Sequence, residues 1–213
     1  MTGYLGDVSA LARKDLLLEL RSRDTVPAML LFVLSTLVVF RFSLPAESSE
    51  LAATGLLWIA VLFTAILALT RAFVAEREQR VLDALVLAPS DRSAIWLGKG
   101  LSVLVFLVLV ELVAVPAFAL FFAPVPGAAV AAFALANVGL AAVGTLLAAM
   151  AAASRARELL LPLLFLPLAI PIVVGGVGAS VEPDPGRYLA FLGLYDALFA
   201  ILAWASFEYV ITE

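Results

Sequence analysis

The sequence has no cysteine and no histidine. Without them the chain can form no disulfide, carry out no thiol redox chemistry, and build none of the zinc sites that need Cys or His ligands. An H-E-x-x-H motif is excluded for the same reason. Charge is scarce too. Only 14% of the residues are Asp, Glu, Lys or Arg, and the net charge is −4. No basic domain stands out, so no nucleic-acid partner is expected. Nor is there a Walker A pattern G-x-x-x-x-G-K-[ST] or a G-x-S-x-G elbow. The Gly-Lys-Gly-Leu-Ser run at 98–102 lacks both the preceding glycine spacing and a strand before it. The chain is therefore not expected to be an enzyme, and energy for any transport has to come from an ion gradient or from another subunit.

What the sequence does have is apolar length. Hydrophobic residues make up 64% of the chain, and mean hydropathy is +1.13. A soluble chain of 213 residues could not hide so much apolar surface. Continuous apolar runs predict six membrane spans, at about 26–44, 51–70, 94–122, 128–153, 159–179 and 188–211. The runs do not alternate, which rules out a closed β-barrel. The third span exceeds the ~20 residues needed to cross, so it should tilt, kink at Pro116 or project. The fourth is rich in Ala and Gly. Gly139, Ala142 and Gly144 there permit close helix contact. A cleavable signal peptide is not expected, since no A-x-A-like site follows the first apolar run.

Six spans place both termini on one side. Eleven of the 13 Lys and Arg residues fall in the amino-terminal segment, the central stretch from Arg71 to Lys99, and the turn at 154–158. Only Arg41 and Arg187 lie on the opposite side. By the positive-inside rule the termini and the central loop are cytoplasmic. Residues 1–25 carry Arg13, Lys14, Arg21 and Arg23 among leucines. They read either as an amphipathic helix lying in the leaflet or as a basic flank that orients span 1.

The central loop is the longest polar interval. Within it Val81, Leu82, Leu85 and Val86 fall at helical spacing, while Glu76, Arg77, Arg80 and Asp83 supply the other face. Pro89 ends that helix, and Ser90 or Asp91 can cap the next. The segment is either a solvated loop or a docking element for a soluble subunit.

Three features within the spans suggest chemistry. Glu111 lies near the middle of span 3, and Asp196 about a third of the way along span 6. A carboxylate there must face a bundle interior, a partner or a polar cavity, or stay protonated. Asp196 reads as a polar helix–helix contact hydrated from the nearby interface. Glu111 reads equally as such a contact or as part of a translocation path. Pro162, Pro167 and Pro171 in span 5 remove backbone donors and should distort the helix. The result is a bent structural helix or a hinge lining the conducting surface.

The order of these parts resembles the CcmB family, haem exporter protein B of bacterial cytochrome c maturation. The resemblance rests on ARKDLLLELRSRD at 12–24, the E-R-E-x-x-x-L-x-x-L-x-L-A-P-x-x-R run from Glu76 to Arg92, WLGK at 96–99, LPLLFLPLAIPIVV at 161–174 and FEYV at 207–210. It spans essentially the whole chain. It implies an all-α permease of the ABC-2 exporter type, with an amino-terminal elbow helix at about 4–23, six spans, and a coupling helix at about 76–88. It implies location in the bacterial cytoplasmic membrane and a cytoplasmic ABC ATPase partner that holds the ATP and Mg. Further implied partners are haem-handling membrane proteins, a periplasmic haem chaperone and a second copy of the permease. Glu76, Arg77, Arg80, Leu82, Leu85 and Val86 then carry ATPase coupling. With no histidine the chain is a poor candidate to ligate haem, and no cofactor is expected on it alone. The alternatives are an ABC-2-type permease for a lipid or drug, and a secondary transporter coupled to ions through Glu111.

Overall fold

A computed structural model describes residues 3–22, 24–44, 49–74, 91–154 and 156–212. Those residues form helices joined by short turns and include no strand. The helices are α1 (Tyr4–Ser22), α2 (Thr25–Ser43), α3 (Ser49–Arg71), α4 (Arg92–Phe121), α5 (Gly127–Ala153), α6 (Arg157–Val181) and α7 (Gly186–Thr212). Six of them, α2 to α7, are long and apolar enough to cross a membrane. The chain is an all-helical, multi-pass membrane protein, as the apolar runs predict. The amphipathic segment 76–88, with all six residues assigned to coupling, lies outside the described residues.

Helix α5 is the axis of the bundle. In its apolar stretch 67% of residues are buried, against 22% in α2 and in α7. It packs against α3, α4, α6 and α7. Its composition explains this position. Lipid tails are as apolar as leucine, so helices in a membrane associate through close packing, which small side chains allow. Ala132, Ala136 and Ala141 are buried along it. Gly139 and Gly144 admit close neighbours: an added Cβ at Gly144 would meet Leu69 of α3, and one at Gly139 would meet the Asp196 carboxyl from α7 and, at 3.1 Å, Ile172 Cδ1 from α6.

Helix α4 has 30 residues, which makes it about 45 Å long at 1.5 Å per residue. The hydrocarbon core is about 30 Å thick, so the excess projects. Asp91 sets where the helix begins. Its carboxylate accepts the Ser93 N–H at 2.9 Å, so the cap is Asp91 of the two candidates. Pro116 lies inside the helix. Helix α6 runs unbroken through Pro162, Pro167 and Pro171, because the donors between them still close the helical ladder. In the turn between the last two prolines, the Leu168 carbonyl accepts a bond from the Tyr195 hydroxyl of α7 at 2.6 Å. This is the kind of tertiary partner that a proline-distorted span requires.

Candidate functional site

The central segment joins α3 to α4 in sequence, and both of its flanks are held by one side chain. Lys99 sits in the third turn of α4 with 3% of its surface exposed. Its Nζ makes an ion pair with Asp15 Oδ2 of α1 at 3.0 Å. It also donates to the Ala72 carbonyl, just past the end of α3, at 2.6 Å. The Phe73 ring lies 5.1 Å away, centroid to ammonium. A buried ammonium is costly unless it is paired and bonded. Here a carboxylate, a terminal helix carbonyl and a ring face share the charge, and the carboxyl end of α3 favours a cation.

The neighbours of Lys99 complete the junction. Trp96 Nε1 donates to the Ala142 carbonyl of α5 at 3.1 Å. Gly98 lies where α1 crosses α4: a Cβ there would be 2.8 Å from Leu11 Cβ and 3.2 Å from the Val8 carbonyl oxygen. Glycine is needed because neither atom is at the flexible end of a side chain. Ser102 Oγ shares its proton between the carbonyls of Ala12, at 3.3 Å, and Gly98, at 3.0 Å. At the start of α4, the Tyr4 hydroxyl and Ser93 Oγ are 2.9 Å apart. Arg92 pairs with Glu208 of α7 at 2.9 Å. The loop flanks are thereby joined to α1, α3, α5 and α7.

The two membrane acids are separate features. Glu111 Oε2 accepts from Asn137 Nδ2 of α5 at 2.7 Å. Asp196 is 7% exposed, and neither carboxyl oxygen has a hydrogen-bond partner among the described residues. The carboxyl is therefore a helix–helix contact, as the sequence reading favours, and it is enclosed rather than open to the interface. The reason is Gly139: without a side chain there, α7 closes on α5 and encloses the carboxyl. Asn137 and Gly139 are two positions apart on α5, about 200° around the helix. Glu111 and Asp196 thus approach different faces of α5, and no bond links them among the described residues.

At the opposite end of the bundle the contacts are aromatic. Trp58 of α3 stacks on Phe133 of α5 with centroids 4.3 Å apart. Its Nε1 donates to Ser180 Oγ at 3.0 Å, and that hydroxyl in turn donates to the Gly176 carbonyl at 2.7 Å. Trp58, Thr54, Phe118, Pro124 and Val181 line a cleft there.

Comparison with known proteins now places the chain. The family model described as CcmB protein matches residues 7–207. A Heme exporter protein B from Rhodobacter capsulatus is 32% identical over 210 residues, covering 92% of this chain and 95% of the relative. One from Paracoccus denitrificans is 31% identical over 210 residues, covering 94% and 95%. A third, from Bradyrhizobium diazoefficiens, is 31% identical over 178 residues, covering 81% and 80%. The chain belongs to the CcmB family.

Within this CcmB-family chain, sequence reasoning quoted WLGK as a matching string but assigned no role to its members. The structure gives roles to three of the four: Trp96 anchors to α5, Gly98 admits α1, and Lys99 ties the loop flanks. Asp15 and Asn137 were missed as well. A lysine seven residues into an apolar helix is the signal for the first, because a charge at that depth needs a partner. A lone Asn in an Ala-rich span is the corresponding signal for the second.

Proposed function

We propose that the chain is the membrane-embedded subunit of a haem-exporter ABC complex serving cytochrome c maturation, and that it receives the work of ATP hydrolysis through the segment 76–88. Haem is the cargo of the complex and not a resident cofactor of this chain. The relatives named Heme exporter protein B support the transport role, and neither the lipid or drug exporter nor the ion-coupled alternative draws support from them. The orientation with cytoplasmic termini, the two-copy arrangement, the ATP- and Mg-holding ATPase, the haem-handling membrane proteins and the periplasmic chaperone are parts of the same proposal. ATP use drives haem delivery or release of the haem-loaded chaperone.

The observation that carries the coupling role is the Lys99 contact. It bonds the exit of α3 and pairs with α1 from within α4, so a push on the loop moves three helices together. Leu82, Leu85 and Val86 fill a groove on the ATPase, with Glu76, Arg77 and Arg80 at the rim. Pro162, Pro167 and Pro171 form the hinge in α6. Burying a leucine side chain is worth roughly 1.5–3 kcal/mol, so Leu85→Asp should reduce ATPase capture at least tenfold. The test is pull-down of the ATPase beside a membrane-fraction blot and a cytochrome c assembly assay. Wild-type capture and assembly by Leu85→Asp would remove the coupling role.

A further inference from the structure

Helix α4 carries an acid at mid-depth with no cation beside it. Glu111 lies about 15 Å from the end of the helix at Phe121, half of a ~30 Å hydrocarbon core. Lys99 is about 18 Å away along the same helix. The helices packed on α4 are α1, α2, α3, α5 and α7, and none brings a positive charge to this depth. Helix α5 has no charged residue at all. The only charge in α2 is Arg41, in its last turn, and α3 is charged only in its first and last turns. Helix α1 meets α4 around Gly98 and Ser102, at the level of Lys99. In α7, Arg187 stands in the first turn, Glu208 is paired with Arg92 near the other end, and Asp196 is enclosed on a different face of α5.

The contact that Glu111 does make leaves two atoms over. Asn137 Nδ2 donates to Glu111 Oε2 at 2.7 Å. Glu111 Oε1 and Asn137 Oδ1 are both buried with no hydrogen-bond partner among the described residues, and Asn137 is 1% exposed. Both are acceptors when the carboxyl is ionised, so neither can satisfy the other. A carboxylate without a cation is costly in hydrocarbon, and each unmet acceptor adds the cost of its lost hydration. A single proton removes all three costs. A neutral carboxylic acid offers one O–H donor and keeps an accepting oxygen, which is the complement of a carboxamide.

We propose that Glu111 holds one proton, which Oε1 donates to Asn137 Oδ1, so that acid and amide close a ring of two hydrogen bonds between α4 and α5. The proton is bound and not relayed, since no other titratable group faces the pair from the helices packed on α4. The neutral pair fastens α4 to the axis helix at mid-depth, where an ion pair would be costly. The site does not depend on the haem or the ATPase reading, so its failure leaves both untouched.

The test is infrared spectroscopy of the full chain in lipid bilayers at neutral pH, because the carbonyl stretch of a protonated carboxyl is separate from the carboxylate bands. The expected result is a protonated-carboxyl band in the wild type that disappears in Glu111→Gln and survives in Asp196→Asn. In Asn137→Leu it should move to higher frequency, as the acid carbonyl no longer accepts the amide N–H. Thermal melts in detergent give a second reading. Glu111→Gln sets amide against amide and keeps both bonds, so it should melt with the wild type, while Glu111→Leu strands both Asn137 groups and should melt lower. The comparison of wild type with Glu111→Gln stands whether or not Asn137→Leu folds. Loss of carboxylate intensity in Glu111→Gln, in place of the neutral band, overturns the proposal, since the two spare oxygens would then share a water. A band left in place by Asn137→Leu overturns the pairing, and equal melting losses in Glu111→Gln and Glu111→Leu overturn the two-bond ring. A wild-type melt raised by sodium and not by choline, with no such rise in Glu111→Gln, overturns the proton in favour of a metal cation.

Discussion

The two ends of this bundle are held by different forces. At the loop-bearing end the contacts are directional: Lys99 with Asp15 and the Ala72 carbonyl, Arg92 with Glu208, and the Tyr4 and Ser93 hydroxyls. At the other end Trp58 stacks on Phe133, and Phe118 on Phe122. Ion pairs and hydrogen bonds have narrow optima of distance and angle, so they hold or break. Ring and aliphatic packing is a sum of many weak contacts and tolerates sliding. The proposed coupling calls for the first kind at the loop-bearing end, and the Lys99 contacts there are of that kind.

The comparison breaks most severely at Lys99. Replacing it with methionine keeps the volume and removes the charge, leaving the Asp15 carboxylate facing an apolar junction. Breaking a buried ion pair in this way costs about 3–5 kcal/mol. Lys14 also reaches Asp15, at 3.1 Å, which should hold the cost to the lower half of that range. The expected outcome of Lys99→Met is a lowered melting temperature in detergent and faster proteolysis within α1. Adding Asp15→Leu should recover most of the loss, since an apolar pair of similar size is tolerated where a lone charge is not. A single variant that melts with the wild type would show that the junction is not an energetic anchor.

Breaking the aromatic end should cost less when the ring is kept. Trp58→Phe preserves the stack on Phe133 and loses only the bond from Nε1 to Ser180. A neutral hydrogen bond contributes about 0.5–1.5 kcal/mol net, and Ser180 retains its bond to the Gly176 carbonyl. A thermal melt should therefore show a small downward shift, with Ser180→Ala no worse and the double variant less than additive. A full sum of the two single effects would mean that Trp58 and Ser180 act separately.

The contrast between the ends was only partly legible in the sequence. Six spans followed from continuous apolar runs, and the cap at Asp91 that starts α4 followed from local chemistry. Those features depend on neighbours within a few positions. Lys99 depends on Asp15, 84 positions earlier, and the side-counting that places charges in loops treats it as an interfacial lysine. Its burial is created by α1 folding back on α4, an event that Gly98 permits and that no periodicity encodes. Asp196 is the same case. Its carboxyl is enclosed because Gly139 on another helix has no side chain, and hydropathy reads only that the acid lies near a span end. The Glu111 partner required knowing which face of α5 meets α4. The apolar spacing of Leu82, Leu85 and Val86 is visible in sequence, and its role is a question for the ATPase assay.

The smallest effect is expected at Arg92, within the same end as Lys99. The Arg92–Glu208 pair has a good distance, 2.9 Å, but its side chains are 37% and 64% exposed. Exposed ion pairs contribute about 0–1 kcal/mol, because water and salt screen the attraction and two long side chains lose freedom. Arg92→Ala should thus melt close to the wild type, and the small difference should vanish as salt rises from low to molar concentration. The Lys99→Met deficit should persist in the same salt series, since its partners exclude solvent. If Arg92→Ala proves as damaging as Lys99→Met, then burial is not what separates the two contacts. The link from α4 to α7 would in that case rank with the link from α4 to α1 as a route for force through the bundle.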